Sequence, residues 1–234
     1  MTLQRIGFFG ISCAFAMAAR TAVSSAALVP FTENFTADSA NWRMADQVTP
    51  LAWSPNGGPG GSSFASGNFS FANNLAGTDQ SILRGHNSFG ASGGAFVGNW
   101  LTDGVTDFSF WFRHDAPVPV QVFSRYAKPF SAGAVSFDVT PVQPNTWTKL
   151  TFNLSFGSST LVLEGFPNLA TYNNVFSDVQ DLQIGIRTPA GIAQTTPSYR
   201  FDIDQVSILP EPASAFLCCT ALAALLTRRR RRNG

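Results

Sequence analysis

The sequence predicts an all-β fold, an antiparallel two-sheet jelly-roll sandwich, set between an N-terminal signal-peptide helix and a C-terminal apolar helix. Short runs of alternating apolar and polar residues recur through the middle of the chain, separated by turn residues at close spacing. Phe occurs 22 times in 234 residues, and aromatic side chains suit the half-buried surface of a pleated sheet. The two ends differ from this middle in being apolar and flanked by arginine. Three segments follow: 1–26, 27–208 and 209–234.

Residues 6–19 form an apolar run with Phe8, Phe9, Ile11 and Phe15, preceded by Arg5 and followed by the small residues Ser24, Ser25, Ala26 and Ala27. That order is the layout of a secretory signal peptide cleaved after Ala26 or Ala27. It implies an export translocon and a signal peptidase as partners. Beyond it, residues 105–112 alternate cleanly. Val105, Asp107, Ser109 and Trp111 take one face, with Thr106, Phe108, Phe110 and Phe112 on the other. Similar runs predict strands at 118–123, 134–139, 147–154, 182–187 and 199–208, and earlier at 31–35, 48–53, 64–71 and 95–100. Tyr172, Val175, Phe176 and Val179 share a helical face, which predicts a short helix within 170–179. The glycine-rich stretch 56–63 has no Lys-Ser/Thr with which to cradle phosphate and reads as a mobile connection. Residues 85–98, with His86 among them, read as a second loop.

All three cysteines, Cys13, Cys218 and Cys219, lie in the end segments. The middle therefore has no disulfide, thiolate metal site or cysteine nucleophile. Seven of the fifteen basic residues are arginines of the ends, whereas all fourteen acids lie between Glu33 and Glu211. The mature portion carries a net charge of about −6, which argues against nucleic acid as a partner. Roughly 185 residues suffice for one domain with its own core.

The C-terminal segment has three parts: Pro210, Glu211 and Pro212; an uncharged apolar run from Ala213 to Thr227; and Arg228, Arg229, Arg230, Arg231 and Arg232. Fifteen helical residues span about 22 Å, short of a ~30 Å hydrocarbon core, so the arginines must snorkel or the bilayer thin. An arginine cluster marks the cytoplasmic side, which puts the body on the other side of the membrane. This tail resembles the PEP-CTERM sorting signal of exported proteins in Gram-negative bacteria. The resemblance implies transient inner-membrane anchoring, processing by an exosortase-like enzyme, and release to the cell surface or extracellular matrix.

Residues 30–35, 147–154 and 201–208 are similar to strands of carbohydrate-binding-module-like jelly rolls. In many of those, acids of the first and last strands hold a structural calcium. The resemblance implies Glu33 and Asp204 as ligands, with Asp202 beside them on the same strand face. For sugar, Trp53, Trp100 and Tyr126 are the candidate stacking residues, and Trp42, Trp111 and Trp147 are expected in the core. Catalysis is not expected. Glutamates are few, a Gly-x-Ser-x-Gly elbow is lacking, and His114 with Asp115 reads as a strand-end pair at the surface. The sequence thus predicts an exported, non-catalytic protein of structural or polysaccharide-associated role. A carbohydrate-binding module proper is the alternative, and a polysaccharide-active enzyme a more distant one.

Overall fold

The structure, a computed structural model, describes residues 27–129 and 131–210. The expected signal-peptide and apolar-tail helices lie outside these residues. In chain order the strands are β1 (Phe31–Glu33), β2 (Arg43–Met44), β3 (Ala52–Ser54), β4 (Phe64–Ser70), β5 (Asp79–His86), β6 (Val105–His114), β7 (Gln121–Ala127), β8 (Ala134–Phe137), β9 (Thr148–Asn153), β10 (Leu161–Leu163), β11 (Asp181–Arg187) and β12 (Ser198–Pro210). Among the described residues a single α-helix, α1 (Leu169–Phe176), precedes β11. Sheet A has the order β3-β4-β12-β6-β9, with β1 paired to the second half of β12, and sheet B has the order β10-β8-β7-β11-β5-β2. Every pairing is antiparallel. The predicted two-sheet antiparallel jelly roll is therefore the fold.

The alternation read from residues 105–112 sets the core. Phe108, Phe110 and Phe112 point inward from β6, and they meet Leu150 and Phe152 of β9 and Phe201 and Ile203 of β12, all buried. Leu182, Ile184 and Ile186 of β11 and Val122 and Tyr126 of β7 close the core from sheet B. Aromatic rings meet within and between the layers. Phe108 lies edge-on to Tyr126 at 5.5 Å, Trp100 meets Tyr126 at 5.5 Å, and Phe110 stacks on Phe152 at 5.6 Å. Such contacts add to area burial, and they are where the chain's many phenylalanines go.

Two bulges adjust the faces. In β12, Gln205 has a positive φ of 49° and the register with β6 shifts between Asp204 and Ser207. Without that extra residue Gln205 and Ser207 would follow Ile203 into the core. With it, Val206 and Ile208 take those places and both are fully buried. In β5 the register with β11 shifts at Ile184/Gly185, leaving Ile82 unpaired. Ile82 and its neighbour Leu83 are consequently both buried.

Some expected elements are corrected. Residues 95–100 are turns with one isolated bridge, Gly98 to Val179, and Trp100 folds inward from them, its Nε1 donating to the Phe96 carbonyl at 2.8 Å. β5 occupies the first residues of what read as a loop around His86. The strand expected at 118–123 begins at Gln121 and runs on to Ala127. Helix α1 begins where expected, with the Asn168 side chain accepting from the Thr171 amide at 2.9 Å, and it ends three residues earlier than Val179. The first and last described residues lie at one end of the sandwich: Ala27 N donates to Asp103 Oδ2 at 2.7 Å, and Pro210 pairs with Val105.

Candidate functional site

The outer face of sheet A holds the acids expected to bind calcium. Asp202 and Asp204 do project on one face of β12, but both are fully buried. Asp202 Oδ2 accepts from Arg113 Nε at 2.7 Å, and Arg200 Nε lies 3.1 Å from Oδ1 without hydrogen-bond alignment. A carboxylate flanked by two guanidinium groups is already compensated, and a cation would have to compete with Arg113 and Arg200 for it. Asp204 accepts from Ser62 Oγ at 2.5 Å and from the Gln205 amide at 2.7 Å. Glu33 turns back to accept from the Phe35 amide at 2.9 Å. Burial pushes the Asp202 and Asp204 carboxyls up, and the Glu33 charge adds to the rise at Asp204. Among the described residues no group of three or more His, Cys, Asp or Glu is placed to hold a metal. Glu33, Asp202 and Asp204 are thus each engaged by donors of the protein itself, and the structure does not group them as the calcium set the sequence implied.

What covers this face is the glycine-rich stretch. Gly58 N donates to the Ser62 carbonyl at 2.8 Å, closing a tight loop whose Gly57 carbonyl accepts from Trp147 Nε1 at 3.0 Å and from Arg113 Nη1 at 3.3 Å. Arg113 is stacked over both Trp147 (4.5 Å) and Phe64 (5.2 Å). The stretch read as mobile is thus pinned at both ends of its turn. A Cβ at Gly58 would sit 2.5 Å from Ser62 Oγ and 3.1 Å from Asp204 Oδ2, so the close fit requires glycine.

The candidate sugar-stacking residues separate. Trp100 (1% exposed) and Tyr126 (0%) are core residues, displaced inward by the layer packing already described, and they offer no face to a ligand. Burial pushes the Tyr126 phenol up, and its hydroxyl bonds Ser124 Oγ. Trp53, on edge strand β3, is 38% exposed, with its indole nitrogen committed to the Phe35 carbonyl at 2.6 Å. Trp42 is in the core as expected. Trp111 and Trp147 are half-buried on the outer side of sheet A instead. His114, expected at the surface, faces inward, and its Nε2 lies 3.1 Å from the Val142 carbonyl. Asp115 binds the Arg200 amide, so this pair orients no serine.

The outer face of sheet B carries a constellation that the motifs did not reveal. The ladders align Arg43 with Arg84, Arg84 with Gln183, Gln183 with Arg125, and Arg125 with Val135, giving one row across five strands. Facing its donors, the Gln183 amide oxygen accepts from Arg125 Nη1 at 3.1 Å and Arg84 Nη1 at 3.2 Å, and its nitrogen donates to Ser81 Oγ at 2.7 Å. Arg125 makes a two-pronged contact with Glu164, Nε to Oε1 at 2.5 Å and Nη2 to Oε2 at 2.6 Å, and Gly133 N donates to the same carboxylate. The Arg125 guanidinium holds the Glu164 carboxyl below the usual carboxylate range.

One step along the strands, His86 Nδ1 lies 3.4 Å from Asp181 Oδ1, with Phe89 stacked on the imidazole and Arg43 over Phe89. Burial, with Arg84 and Arg125 nearby, lowers His86 to about 4. Burial raises Asp181 against the pull of the same arginines. With a pKa that low the imidazole is neutral at pH 7, so its approach to Asp181 is not an ion pair. In the opposite direction lie Phe123 and Phe137, their rings 5.9 Å apart, with Arg187 over Phe137. The signal in the sequence was the period of two in Asp181, Gln183 and Arg187 against Leu182, Ile184 and Ile186. Its partner row on β5 was hidden by the bulge.

No protein-family model matches the chain, and no curated protein is significantly similar to it. Solved structures with a similar arrangement of strands include a family 11 carbohydrate-binding module from Clostridium thermocellum in complex with a β-1,3-1,4-mixed-linked tetrasaccharide. It is 8% identical, matched over 79% of this chain and 98% of that one, with a TM-score of 0.45. The carbohydrate-binding and glycoside-hydrolase modules of a xylanase from the same organism match over 81% of this chain at 14% identity and a TM-score of 0.44. This chain spans 30% of that protein. The L4b domain of human laminin alpha-2 is 10% identical over 79% of this chain and 99% of that one, with a TM-score of 0.43. The likeness is one of fold and extends no further.

Proposed function

We propose that this is an exported, non-catalytic protein of the cell surface or extracellular matrix, delivered by its PEP-CTERM-like tail and associated with polysaccharide through the outer face of sheet B. The observation that carries the reading is the row Arg43–Arg84–Gln183–Arg125. Four polar positions at a strand spacing of ~4.8 Å span about 14 Å. Guanidinium and amide groups are planar, multiple donors suited to sugar hydroxyls. The contacts of Gln183 with Arg84 and Arg125 and the Glu164 clamp fix these three before any ligand arrives, and Arg43 is held by the Gln47 carbonyl and the Phe89 ring, which lowers the ordering cost of binding. Phe89 and Phe137 flank the row with apolar surface. A non-catalytic role is supported by the engagement of Glu164 and Asp202 with arginines, since glycoside hydrolysis needs two carboxyl groups free to act as acid and base or nucleophile.

The test is affinity electrophoresis of the purified protein through gels containing neutral or acidic polysaccharides. Retardation is expected for the parent and for Trp53→Ala. Loss of at least ten-fold in affinity is expected for Arg84→Ala with Gln183→Ala, with the far-ultraviolet spectrum and melting confirming a folded variant. A parent protein that migrates freely in every gel, or that releases reducing ends, refutes the proposal.

A further inference from the structure

The end of the sandwich from which the tail departs is unusually apolar. Pro210 occupies the last ladder position of β12, opposite Val105. Around it, Val105 N bonds the Trp100 carbonyl, Leu154 N bonds the Thr106 carbonyl, and Leu28 N bonds the Ala95 carbonyl, so the 95–104 turns, the start of the segment that follows β9 and the first described residues gather here. Helix α1 lies at the same end, with Phe176 against Trp100 and Tyr172 against Phe156 at 5.4 Å. Ten large hydrophobic residues are exposed among the described residues, and six of them, Leu28, Leu101, Phe156, Val162, Phe166 and Leu169, belong to this end. Phe166 is 79% exposed. Beside it a groove of about 330 Å³ is lined by Phe156, Leu161, Val162, Leu163 and Pro167. Of the charges at this end, Asp103 accepts from Ala27 N, Asp107 accepts from Thr106 Oγ1 at 3.1 Å, and Lys128 lies 3.9 Å from Asp178.

We infer that this end is a lipid-contacting surface, pressed onto the bilayer while the tail is inserted. The inference rests on reading the tail as a membrane segment. Only Glu211 and Pro212 separate the end of β12 from the apolar run that starts at Ala213. Three Cα–Cα steps from Pro210 to Ala213 reach about 10 Å, so an inserted tail holds Pro210 at the headgroups and leaves Phe156, Phe166 and Leu169 in the interfacial zone. Aromatic and aliphatic side chains are favoured there. With so short a connector the sandwich meets the membrane at a restricted angle rather than as a ball on a string.

The full chain tests this, with Cys13, Cys218 and Cys219 replaced by Ala and a single environment-sensitive label attached through Phe166→Cys, or through Val139→Cys at the opposite end. In zwitterionic phospholipid vesicles the 166 label is expected to shift to the blue and to be quenched by spin-labelled lipid, while the 139 label stays as in buffer. Phe156→Ser with Leu169→Ser should reduce the 166 shift without altering the melting temperature by more than the label itself does. A wet 166 label in a chain that resists carbonate extraction overturns the inference while leaving the tail reading intact. A chain released by carbonate refutes the tail reading; a blue-shifted 166 label in that sample still supports a lipid-docking end, and a wet one overturns both. A blue shift without vesicles means that the tail or a second copy covers the patch, and also overturns it.

Discussion

Gly185 and His86 show how single residues on sheet B are constrained from both sides. A Cβ at Gly185 would lie 2.3 Å from the Gln80 carbonyl and 2.5 Å from the Phe123 ring. One of these contacts is backbone and cannot swing away. Gly185→Ala is expected to destabilise the fold by about 1–3 kcal/mol, as overpacking does, read from the shift in urea midpoint. His86 predicts a pH dependence. Its pKa is about 4 in the fold against 6.5 when unperturbed, so the unfolded chain takes up a proton that the folded chain refuses. Stability contributed by this group is fully present above 6.5 and is lost as pH falls from 6.5 toward 4, by about 3 kcal/mol at most. The raised Asp181, Asp202 and Asp204 act oppositely, since a folded state that binds protons more readily gains as pH falls above their unfolded value near 3.8. His86→Gln isolates the histidine part: its melting temperature should decline less than the parent's between pH 7 and 5.

At the scale of elements, the glycine-rich loop and the strands beneath it stand or fall together. Arg113, mostly buried, is the strut: it binds Asp202, touches the Gly57 carbonyl and stacks on Trp147 and Phe64. Arg113→Met leaves Asp202 buried with Arg200 alone and is expected to cost about 3 kcal/mol, with Asp202→Asn added to Arg113→Met recovering much of it. Hydrogen exchange adds a second check. The Gly58 amide, bonded to Ser62, should be protected in the parent, and that protection should fall in Ser62→Ala, which loses the bond to Asp204. How much of this was legible in the sequence depended on periodicity. Strand β6 was readable because its alternation is unbroken from Val105 to His114. Strand β5 was not, because the bulge at Ile82 sets two apolar residues side by side and Gly85 leaves room for the Trp42 ring. Trp100 and Tyr126 looked available because they stand outside the obvious alternation, at the end of the strand expected at 95–100 and beyond the one expected at 118–123. Only the crossing of layers reveals that their rings fill the core. The arginine row was illegible for a different reason: its members are far apart in sequence, and only the ladder register aligns them.

For the whole molecule, the sequence makes the ends clearer than the middle. Composition alone separates the apolar, cysteine-bearing termini from an acidic, cysteine-free body, and the fold class follows from the strand pattern. The body's ligand does not follow, since a sandwich fold hosts many roles and the site must carry the claim. Delivery makes a prediction of its own. Mass spectrometry of the protein recovered from its host is expected to give a chain that starts near Ala27 and lacks the arginine cluster. Full-length protein in the cytosol contradicts export.

The strand that leads into the tail is also the longest, 13 residues, and it sits inside sheet A with ladders on both flanks. A tug on the tail, from flowing water or from a partner gripping the domain, is therefore borne by the middle of the sheet instead of an edge that could be unzipped residue by residue. Under load such a tether should hold its shape until the sheet tears through its centre in a single event.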